Sequence, residues 1–297
     1  MCGLVGYTGR EGAKADPQII QKLMMANDSR GGHSSGYYDG AGFKKCLGRS
    51  NNLHSEMRGI TTNTFIGHTR FSTHGETNIP NQHPFKFGNV IGAHNGVVHN
   101  YKEVGEKYQL SKTEVDSQMI FKVMNHTQHL DILGLFSGAL ATLFQKDGVY
   151  YTYRKTNPLW VGRDGKGGVY FSSLRDVLIG CNLVEVFQLK ESRVYVWEGD
   201  EIVARIDVDS CPIEQKYQSV KKQWFEYGDD TTPIKTYSNM GHKPYKGITD
   251  LYDDQESIDD IDITDYDLTE SQEQLELFES NRCNCQDGND GICWCVS

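Results

Sequence analysis

The sequence predicts an α+β domain whose strands pair mostly in antiparallel fashion. Between residues 139 and 207, short apolar runs of period two are separated by Gly or Asp turns, which is typical of hairpins. Two longer stretches with helical periodicity precede these runs, and no internal repeat is present. We expect a domain over residues 2–210, a polar connector over 211–247 and an acidic tail over 248–297.

The first helix is predicted to begin at Asp16 and Pro17, an N-cap followed by proline at the first helical position. It should run for about a dozen residues and end near residues 29–32. Residues 30–36 then form a small-residue loop, which is more often only a turn, before strands near 41–47. The apolar stripe of this helix consists of Ile19, Ile20, Leu23 and Met24.

Residues 64–75 carry polar side chains on both faces of a predicted strand. Alternation places His68 and Arg70 on one face and Thr69 and Thr73 on the other. Such a strand is poor material for a core. It suits a strand that runs out into a site, although an edge strand at the surface has the same pattern.

Asn95 and Gly96 follow a predicted strand over residues 90–94. Asn-Gly between apolar runs is the strongest short hairpin signal and predicts a type I′ turn. The functional alternative is an oxyanion hole, with the Asn95 side-chain amide and the Gly96 N–H as its two donors. Both interpretations can hold together, because glycine also lets a substrate approach the backbone closely.

A second helix is predicted after residues 111–114, whose sequence Ser-Lys-Thr-Glu has the form of a capping box. Val115, Met119 and Val123 lie on one face of this helix. Asp116 lies near its first turn. It is either a surface acid favoured by the helix dipole or a pocket acid that binds an ammonium group.

The elements that follow are short. A helix is predicted from residue 174 to about residue 180, and the strands are predicted at 139–144, 149–154, 159–162, 169–172, 193–197 and 201–207.

Cys2 is a candidate nucleophile because of its position. Removal of Met1, which is usual before a small residue, would leave the thiol and a free α-amine on the same residue. That amine, with a pKa of roughly 7.7–8.0, can serve as the base that a cysteine needs near neutral pH. An N-terminal nucleophile is a known alternative to a His-based triad. The other interpretation is an ordinary cysteine before a short buried strand.

Composition and charge exclude several classes of protein. Thirteen acids and no Lys or Arg lie between Asp250 and Glu279, and without them the net charge of −10 becomes +3. No basic patch indicates nucleic-acid binding, and no apolar run is long enough for a membrane helix or a signal peptide. We therefore expect a cytoplasmic protein without a disulfide framework.

The tail is predicted to be disordered, because so acidic a segment gains too little free energy from burial to offset the entropy lost on ordering. A short acidic helix over residues 269–278 could dock on a partner, and a solvated tail is the alternative. The terminal cysteines could bind one Zn²⁺ in a closed four-cysteine site, or form a reduced, reactive or partner-bound segment. These cysteines are Cys283, Cys285, Cys293 and Cys295.

Together, four blocks of sequence resemble the class II glutamine amidotransferases of the N-terminal nucleophile hydrolase superfamily, above all the glutaminase domain of the glucosamine-6-phosphate synthases. The likeness spans about residues 2–210. The blocks are Cys-Gly-Leu-Val-Gly-Tyr from residue 2, Gly-His-Thr-Arg-Phe-Ser-Thr-His-Gly from residue 67, His-Asn-Gly-Val-Val-His-Asn from residue 94 and Glu-Val-Asp-Ser from residue 114.

This resemblance implies a four-layer αββα sandwich of two antiparallel sheets. It also implies a reaction that needs no cofactor, in which the Cys2 thiol attacks the side-chain amide of L-glutamine. A γ-glutamyl thioester would form, ammonia would leave and water would release glutamate. The roles implied for the other residues are α-carboxylate binding for Arg70 and Thr73, α-ammonium binding for Asp116, an oxyanion hole for Asn95 with Gly96, and a place near the glutamine loop for His74.

Two departures from the family pattern matter. Phe71 stands where the glucosamine-6-phosphate synthases have a Trp on the loop that closes the site and gates the ammonia channel, so we expect altered closure and altered coupling. Fewer than ninety residues follow the likeness, where a sugar-isomerase domain would begin. A separate synthase or transferase subunit that accepts ammonia is therefore expected as a partner.

Two rival hypotheses remain. An N-terminal Cys amidase acting on another linear amide would keep Cys2 but should not need Arg70 and Asp116 as a pair. A non-catalytic glutamine-binding or scaffold module would act through its acidic tail, and its binding would survive the loss of Cys2.

Overall fold

A computed structural model describes residues 1–73 and 75–208. The predicted connector, the tail with its terminal cysteines, and His74 lie outside the described residues. Predictions about them, including the domain boundaries at 210 and 247, therefore stay predictions.

Most of the described chain belongs to strands and helices. The strands are β1 (Gly3–Gly9), β2 (Ser34–Tyr38), β3 (Phe43–Leu47), β4 (Thr64–Arg70), β5 (Phe85–Phe87), β6 (Val90–Val98), β7 (Gly138–Lys146), β8 (Val149–Arg154), β9 (Trp160–Arg163), β10 (Gly168–Ser172), β11 (Val184–Gln188), β12 (Arg193–Glu198) and β13 (Glu201–Asp207). The α-helices are α1 (Pro17–Asn27), α2 (His54–Met57), α3 (Tyr101–Lys107), α4 (Asp116–Thr127) and α5 (Arg175–Gly180).

The strands form two antiparallel sheets. The seven-stranded sheet has the order β11-β9-β10-β1-β4-β2-β3, and the six-stranded sheet has the order β13-β12-β8-β7-β6-β5. β1 is the central strand of the larger sheet, paired with β10 on one side and β4 on the other, and all seven of its residues are buried. A strand buried on both faces reads as a continuous apolar or small-residue run, as Gly-Leu-Val-Gly-Tyr does here.

Three apolar clusters hold four layers together. The inner cluster fills the space between the sheets, with Leu4 and Ile66 from one sheet meeting Leu143 and Trp197 from the other. A second cluster joins α1, α2 and α5 to the outer face of the larger sheet, and a third joins α4 to the outer face of the smaller one. This arrangement confirms the predicted α+β class and its αββα layering.

The first helix confirms its sequence signals. α1 begins at Pro17, and the Asp16 carboxylate accepts the Gln18 N–H at 2.8 Å, so Asp16 is the N-cap. Ile20, Leu23 and Met24 from the predicted stripe are buried. The loop predicted at residues 30–36 is shorter than expected, because β2 already begins at Ser34.

The hairpin predicted at Asn95-Gly96 is wrong. Both residues lie inside β6, which continues to Val98 and pairs Asn95 with Ala141 and Gly96 with Leu140 of β7. The turn signal is local, and nine consecutive pairs with β7 override it. Gly96 is nevertheless required, because its φ is +147° and a Cβ there would lie 1.7 Å from the Ala139 oxygen.

Two other expectations need correction. The Ser-Lys-Thr-Glu segment does not open the second helix, because α4 begins at Asp116 with Val115 as its N-cap residue. Of the two readings for residues 64–75, the surface edge strand is wrong: β4 lies between β1 and β2 and all its residues are buried. No sequence signal had predicted α2, α3, β5 or β11.

None of the helices in the described part of the chain is long and apolar enough to cross a membrane.

We predict that Gly6→Ala destabilises the domain by about 1–3 kcal/mol, the usual effect of adding a methyl group to a packed core. A Cβ at Gly6 would lie 2.4 Å from the Tyr150 hydroxyl and 2.8 Å from Leu143 Cδ1, at the interface of the two sheets. Urea unfolding measures the change. Gly180→Ala is the control, since a Cβ at Gly180 has nothing within 4 Å; equal free energies of unfolding in both variants would contradict this account.

Candidate active site

Cys2 lies at the entrance of β1, where the ends of several elements meet. Its backbone N donates a hydrogen bond to Asn95 Oδ1 at 3.2 Å, and its carbonyl oxygen accepts one from Arg30 Nε at 3.0 Å. Leu4, which follows in β1, donates its N–H to Ser173 Oγ at 3.0 Å. The backbone around Cys2 is therefore held from three directions, and the thiol is half-buried.

The Cys2 thiol lies against the backbone of Phe71. The Phe71 N–H points at Cys2 Sγ over 3.3 Å, and the thiol reaches the Phe71 carbonyl oxygen at 3.5 Å. Burial raises the pKa of the thiol, while the Phe71 N–H, the N-terminal ammonium group and Arg70 lower it, and Asp116 raises it. The thiol therefore loses its proton less readily than a free cysteine, and the thiolate depends on the hydrogen-bond donors and positive charge around it.

Asn95 presents one end of its amide to Cys2 and leaves the other unpaired. A backbone N–H can only donate, so the amide atom that faces Cys2 is the oxygen and the nitrogen points the other way. Asn95 is 1% exposed, and its Nδ2 has no hydrogen-bond partner among the described residues. Its backbone oxygen is fixed by Asn157 Nδ2 at 2.9 Å. A buried donor without a partner, on the side chain that holds the Cys2 backbone, is available to a developing negative charge.

Arg70 ends β4 beside Cys2 and is almost fully buried. One guanidinium nitrogen donates to the Glu76 carbonyl oxygen at 2.9 Å. Burial lowers the pKa of Arg70, and the nearby Cys2, Asp116 and Glu114 act in the opposite direction. A buried arginine still carries its charge and can bind a carboxylate through two parallel hydrogen bonds.

Asp116 is the first residue of α4 and is 3% exposed. Its Oδ2 accepts the Val98 N–H at 2.7 Å, and its Oδ1 accepts the Ser117 N–H at 2.8 Å. The surface-acid interpretation of Asp116 is therefore wrong. Oδ1 also accepts from the Ser117 hydroxyl at 3.3 Å, so it is Oδ2 that keeps a lone pair able to accept a hydrogen bond from a bound cation.

Three buried histidines lie behind these groups. His94 Nδ1 is 2.8 Å from Ser117 Oγ, which in turn reaches Asp116 Oδ1 at 3.3 Å. His68 Nε2 is 3.1 Å from the His94 carbonyl oxygen, and its ring lies 4.0 Å from the His83 ring. Burial lowers the pKa of all three, to about 3 for His68, so the imidazoles are neutral.

The predicted site residues thus divide into two groups. Cys2, Arg70, Asn95, Gly96 and Asp116 come together although up to 114 positions separate them in sequence. Thr73 is exposed. His74 and the four terminal cysteines lie outside the described residues, and zinc analysis of the full chain tests the cysteine site. No group of three or more metal-ligating side chains occurs in the part that is described.

Sequence reasoning missed several residues that hold the site. Arg30 and His33 fall only within the predicted loop at residues 30–36, and Ser117 falls only within the block that contains Asp116. Each acts through a contact with a residue more than twenty positions away: Arg30 with Cys2, Ser117 with His94 and His33 with Ser72. No local sequence signal could have identified these contacts.

The chain is similar in sequence to bacterial enzymes named glutamine–fructose-6-phosphate aminotransferase (isomerizing). It is 30% identical over 235 residues to the protein from Campylobacter jejuni, over 68% of this chain and 37% of that protein. It is 24% identical over 267 residues to the protein from Streptococcus mutans, over 82% of this chain and 43% of that protein. The chain therefore spans less than half the length of these curated relatives.

The fold is similar to a solved structure, glutamine phosphoribosylpyrophosphate amidotransferase from B. subtilis complexed with ADP and GMP. The TM-score is 0.58 at 19% identity, over 69% of this chain and 49% of that chain. No family model matches the chain.

We predict that acid destabilises the fold through the buried histidines. An unfolded histidine takes up a proton near its ordinary pKa of 6.5, whereas folded His68 does so only near 3. The unfolded state therefore binds more protons between these values, so stability is complete above pH 6.5 and falls as the pH falls. The loss is about 1.4 kcal/mol per pH unit for each such histidine.

His83→Phe should reduce this pH dependence of the free energy of unfolding, because it removes one of the buried groups. Urea unfolding between pH 7 and pH 5 measures the slope. His129→Phe changes an exposed histidine and should leave the slope as in the parent chain. An unchanged slope in His83→Phe would exclude His83 as a source of the effect.

Proposed function

We propose that this chain, which carries a class II glutamine amidotransferase domain, hydrolyses L-glutamine to glutamate and ammonia through Cys2. The observation that carries the proposal is the Asn95 side chain. It holds the Cys2 backbone N through Oδ1, and its buried Nδ2 has no hydrogen-bond partner among the described residues. That is the donor an attacked amide carbonyl requires.

The reaction begins with the thiol and the α-amine that removal of Met1 exposes. The amine takes the thiol proton, and the sulfur forms a bond to the side-chain carbonyl carbon of glutamine. The C–N bond then breaks, the amine returns the proton to the leaving nitrogen and ammonia departs, which leaves a γ-glutamyl thioester. Water, deprotonated by the same amine, attacks the thioester and releases glutamate and the free thiol.

Asn95 and Gly96 stabilise the tetrahedral intermediates. Asn95 Oδ1, which accepts the Cys2 N–H at 3.2 Å, would hold the α-amine in the processed chain. Nδ2 and the Gly96 N–H are then the two donors for the oxyanion. Gly96 suits this role, because no side chain fits at its position against the Ala139 oxygen.

Substrate selection rests on the two buried charges. A free amino acid carries an α-carboxylate and an α-ammonium group, and Arg70 and Asp116 offer one partner for each. Thr73 and His74 are assigned to the carboxylate end and to the glutamine loop by the family resemblance alone. An amidase for an unrelated linear amide would have no use for an opposite pair of buried charges, so we favour glutamine.

We further propose that the ammonia is used by a separate synthase or transferase subunit. The names of the relatives given above describe aminotransferases that use glutamine and fructose 6-phosphate. The match covers 37% of the Campylobacter jejuni protein. We assign to the matched residues the glutamine half of such a reaction. An acceptor domain on the same polypeptide is the alternative.

Glutamate release from L-glutamine tests the proposal. Cys2→Ala should abolish release, and Asp116→Asn should lower kcat/KM tenfold or more, mainly through KM, because a charge-assisted hydrogen bond of about 1.5–3 kcal/mol is lost. Asp176→Asn is the control, since Asp176 is an exposed acid in the first turn of α5.

Glutamate release that persists in Cys2→Ala would exclude the thioester mechanism. Binding of glutamine without any release in the parent chain would instead favour the non-catalytic hypothesis. Intact mass spectrometry of the same sample must show that Met1 has been removed.

Asn95→Asp separates the two functions of the Asn95 amide. The acceptor for the Cys2 N is kept while the donor is lost, so kcat should fall by about 10²–10³ with little change in KM. Steady-state kinetics measure the split. Asn51→Asp, at an exposed position, is the control, and a full-rate Asn95→Asp enzyme would mean that Nδ2 stabilises no oxyanion.

The partner hypothesis predicts that the full chain co-purifies with an ammonia-using enzyme and that this enzyme stimulates glutamate release. Affinity purification followed by mass spectrometry identifies the candidate, and a glutaminase assay of the mixture tests it. Ammonia transfer to an acceptor by the purified chain alone would place both reactions on one polypeptide.

A further inference from the structure

We propose that His33 is a positioning residue that holds the segment Arg70–Ser72 so that the Phe71 backbone stays against the Cys2 thiol. This inference rests on the proposed function, because it concerns the same nucleophile. It assigns a role to a side chain that lies outside every catalytic group described above.

Two contacts of the His33 side chain define the role. Its Nδ1 accepts the Ser72 N–H at 3.1 Å, and its ring stacks on the Phe71 ring with centroids 4.7 Å apart and planes 29° apart. Phe71 is 43% exposed, so the rest of the molecule covers little of its ring. The imidazole therefore restrains both a side chain and the following peptide group.

The backbone beneath His33 is itself fixed. Its N–H donates to the Arg70 carbonyl oxygen at 3.0 Å, and its own carbonyl oxygen accepts the Gly48 N–H at 2.9 Å. At Gly31 a Cβ would lie 2.6 Å from both Arg70 C and Phe71 N, so the two chain segments touch along their backbones. His33 thus works from a rigid support at the start of β2.

The restrained segment is the one that meets the nucleophile. Its Phe71 N–H points at Cys2 Sγ over 3.3 Å and lowers the thiol pKa against the effect of burial. A shift of this peptide group would remove the donor without removing any atom of the catalytic residues. The imidazole contributes through position alone, because its own ring nitrogen bonds Ser72 and not the thiol.

The two contacts can be removed separately. His33→Asn keeps a hydrogen-bond acceptor and loses the ring, His33→Phe keeps the ring and loses the acceptor, and His33→Ala loses both. We expect the alkylation rate of Cys2 by iodoacetamide at pH 7.5 to fall about tenfold in His33→Ala, with intermediate losses in the other two. Mass spectrometry of the N-terminal peptide distinguishes Cys2 from the seven other cysteines.

The pH profile of the alkylation supplies a readout that a merely structural residue would not change. Its midpoint should move to higher pH in His33→Ala and return toward the parent value in His33→Asn. In the glutaminase assay kcat should fall more than KM rises. His129→Ala, at an exposed site, is the control, and thermal unfolding of each variant shows whether it is folded.

Unchanged alkylation profiles in folded His33→Ala and His33→Phe would overturn the proposal, even if the parent chain hydrolyses glutamine. Alkylation needs no glutamine, so its outcome is independent of the proposed function. A different result is that the alkylation profile shifts in the His33 variants while the parent chain releases no glutamate. That result would support the positioning role and contradict the proposed glutaminase activity.

Discussion

Burial of β1 in the centre of the seven-stranded sheet is the constraint on which the site depends. With Cα partners on both sides and every residue buried, the strand cannot slide or fray without breaking two ladders. Cys2 directly precedes this strand, so the position of its backbone is set by the buried core. The ends of β4 and β6 and the start of α4 bring Arg70, Asn95 and Asp116 to the same place. A side chain beside a chain terminus, normally the least ordered position, acquires the order of the interior.

The site combines two charged side chains with histidines that are kept neutral. Arg70 and Asp116 are buried ions, which is costly unless they are paired or solvated by fixed dipoles. Asp116 receives two backbone N–H donors and the Ser117 hydroxyl, and the neighbouring histidines are held neutral by burial. Neutral imidazoles add polarity without adding a competing positive charge beside Arg70. The site therefore holds one buried cation and one buried anion.

Local patterns predicted the antiparallel α+β class and the candidate groups, whereas the four layers and the roles of those groups were implied by the family resemblance. Cys2, Arg70, Asn95 and Asp116 stand in short blocks, and the period-two runs of β8 and β13 match the observed bounds. Errors arose where a distant partner decides the outcome. Asn95-Gly96 reads as a turn until β7 pairs with it, and Ser111–Glu114 reads as a cap until Val98 fixes Asp116 as the start of α4. The contacts of His33 and Arg30 could not be predicted for the same reason, since their partners lie 39 and 28 positions away.

The pairing of β1 also has a consequence for synthesis of the chain. Its neighbours are β4, at residues 64–70, and β10, at residues 168–172, so the second ladder cannot form until more than half of the chain has left the ribosome. Until then the first residues have no complete sheet to join. The amino terminus is thus free of both ladders during translation, and Met1 is still 69% exposed once the sheet has formed. Met1 is therefore accessible to an aminopeptidase both before and after the second ladder forms, and the order of translation determines only when Cys2 becomes fixed.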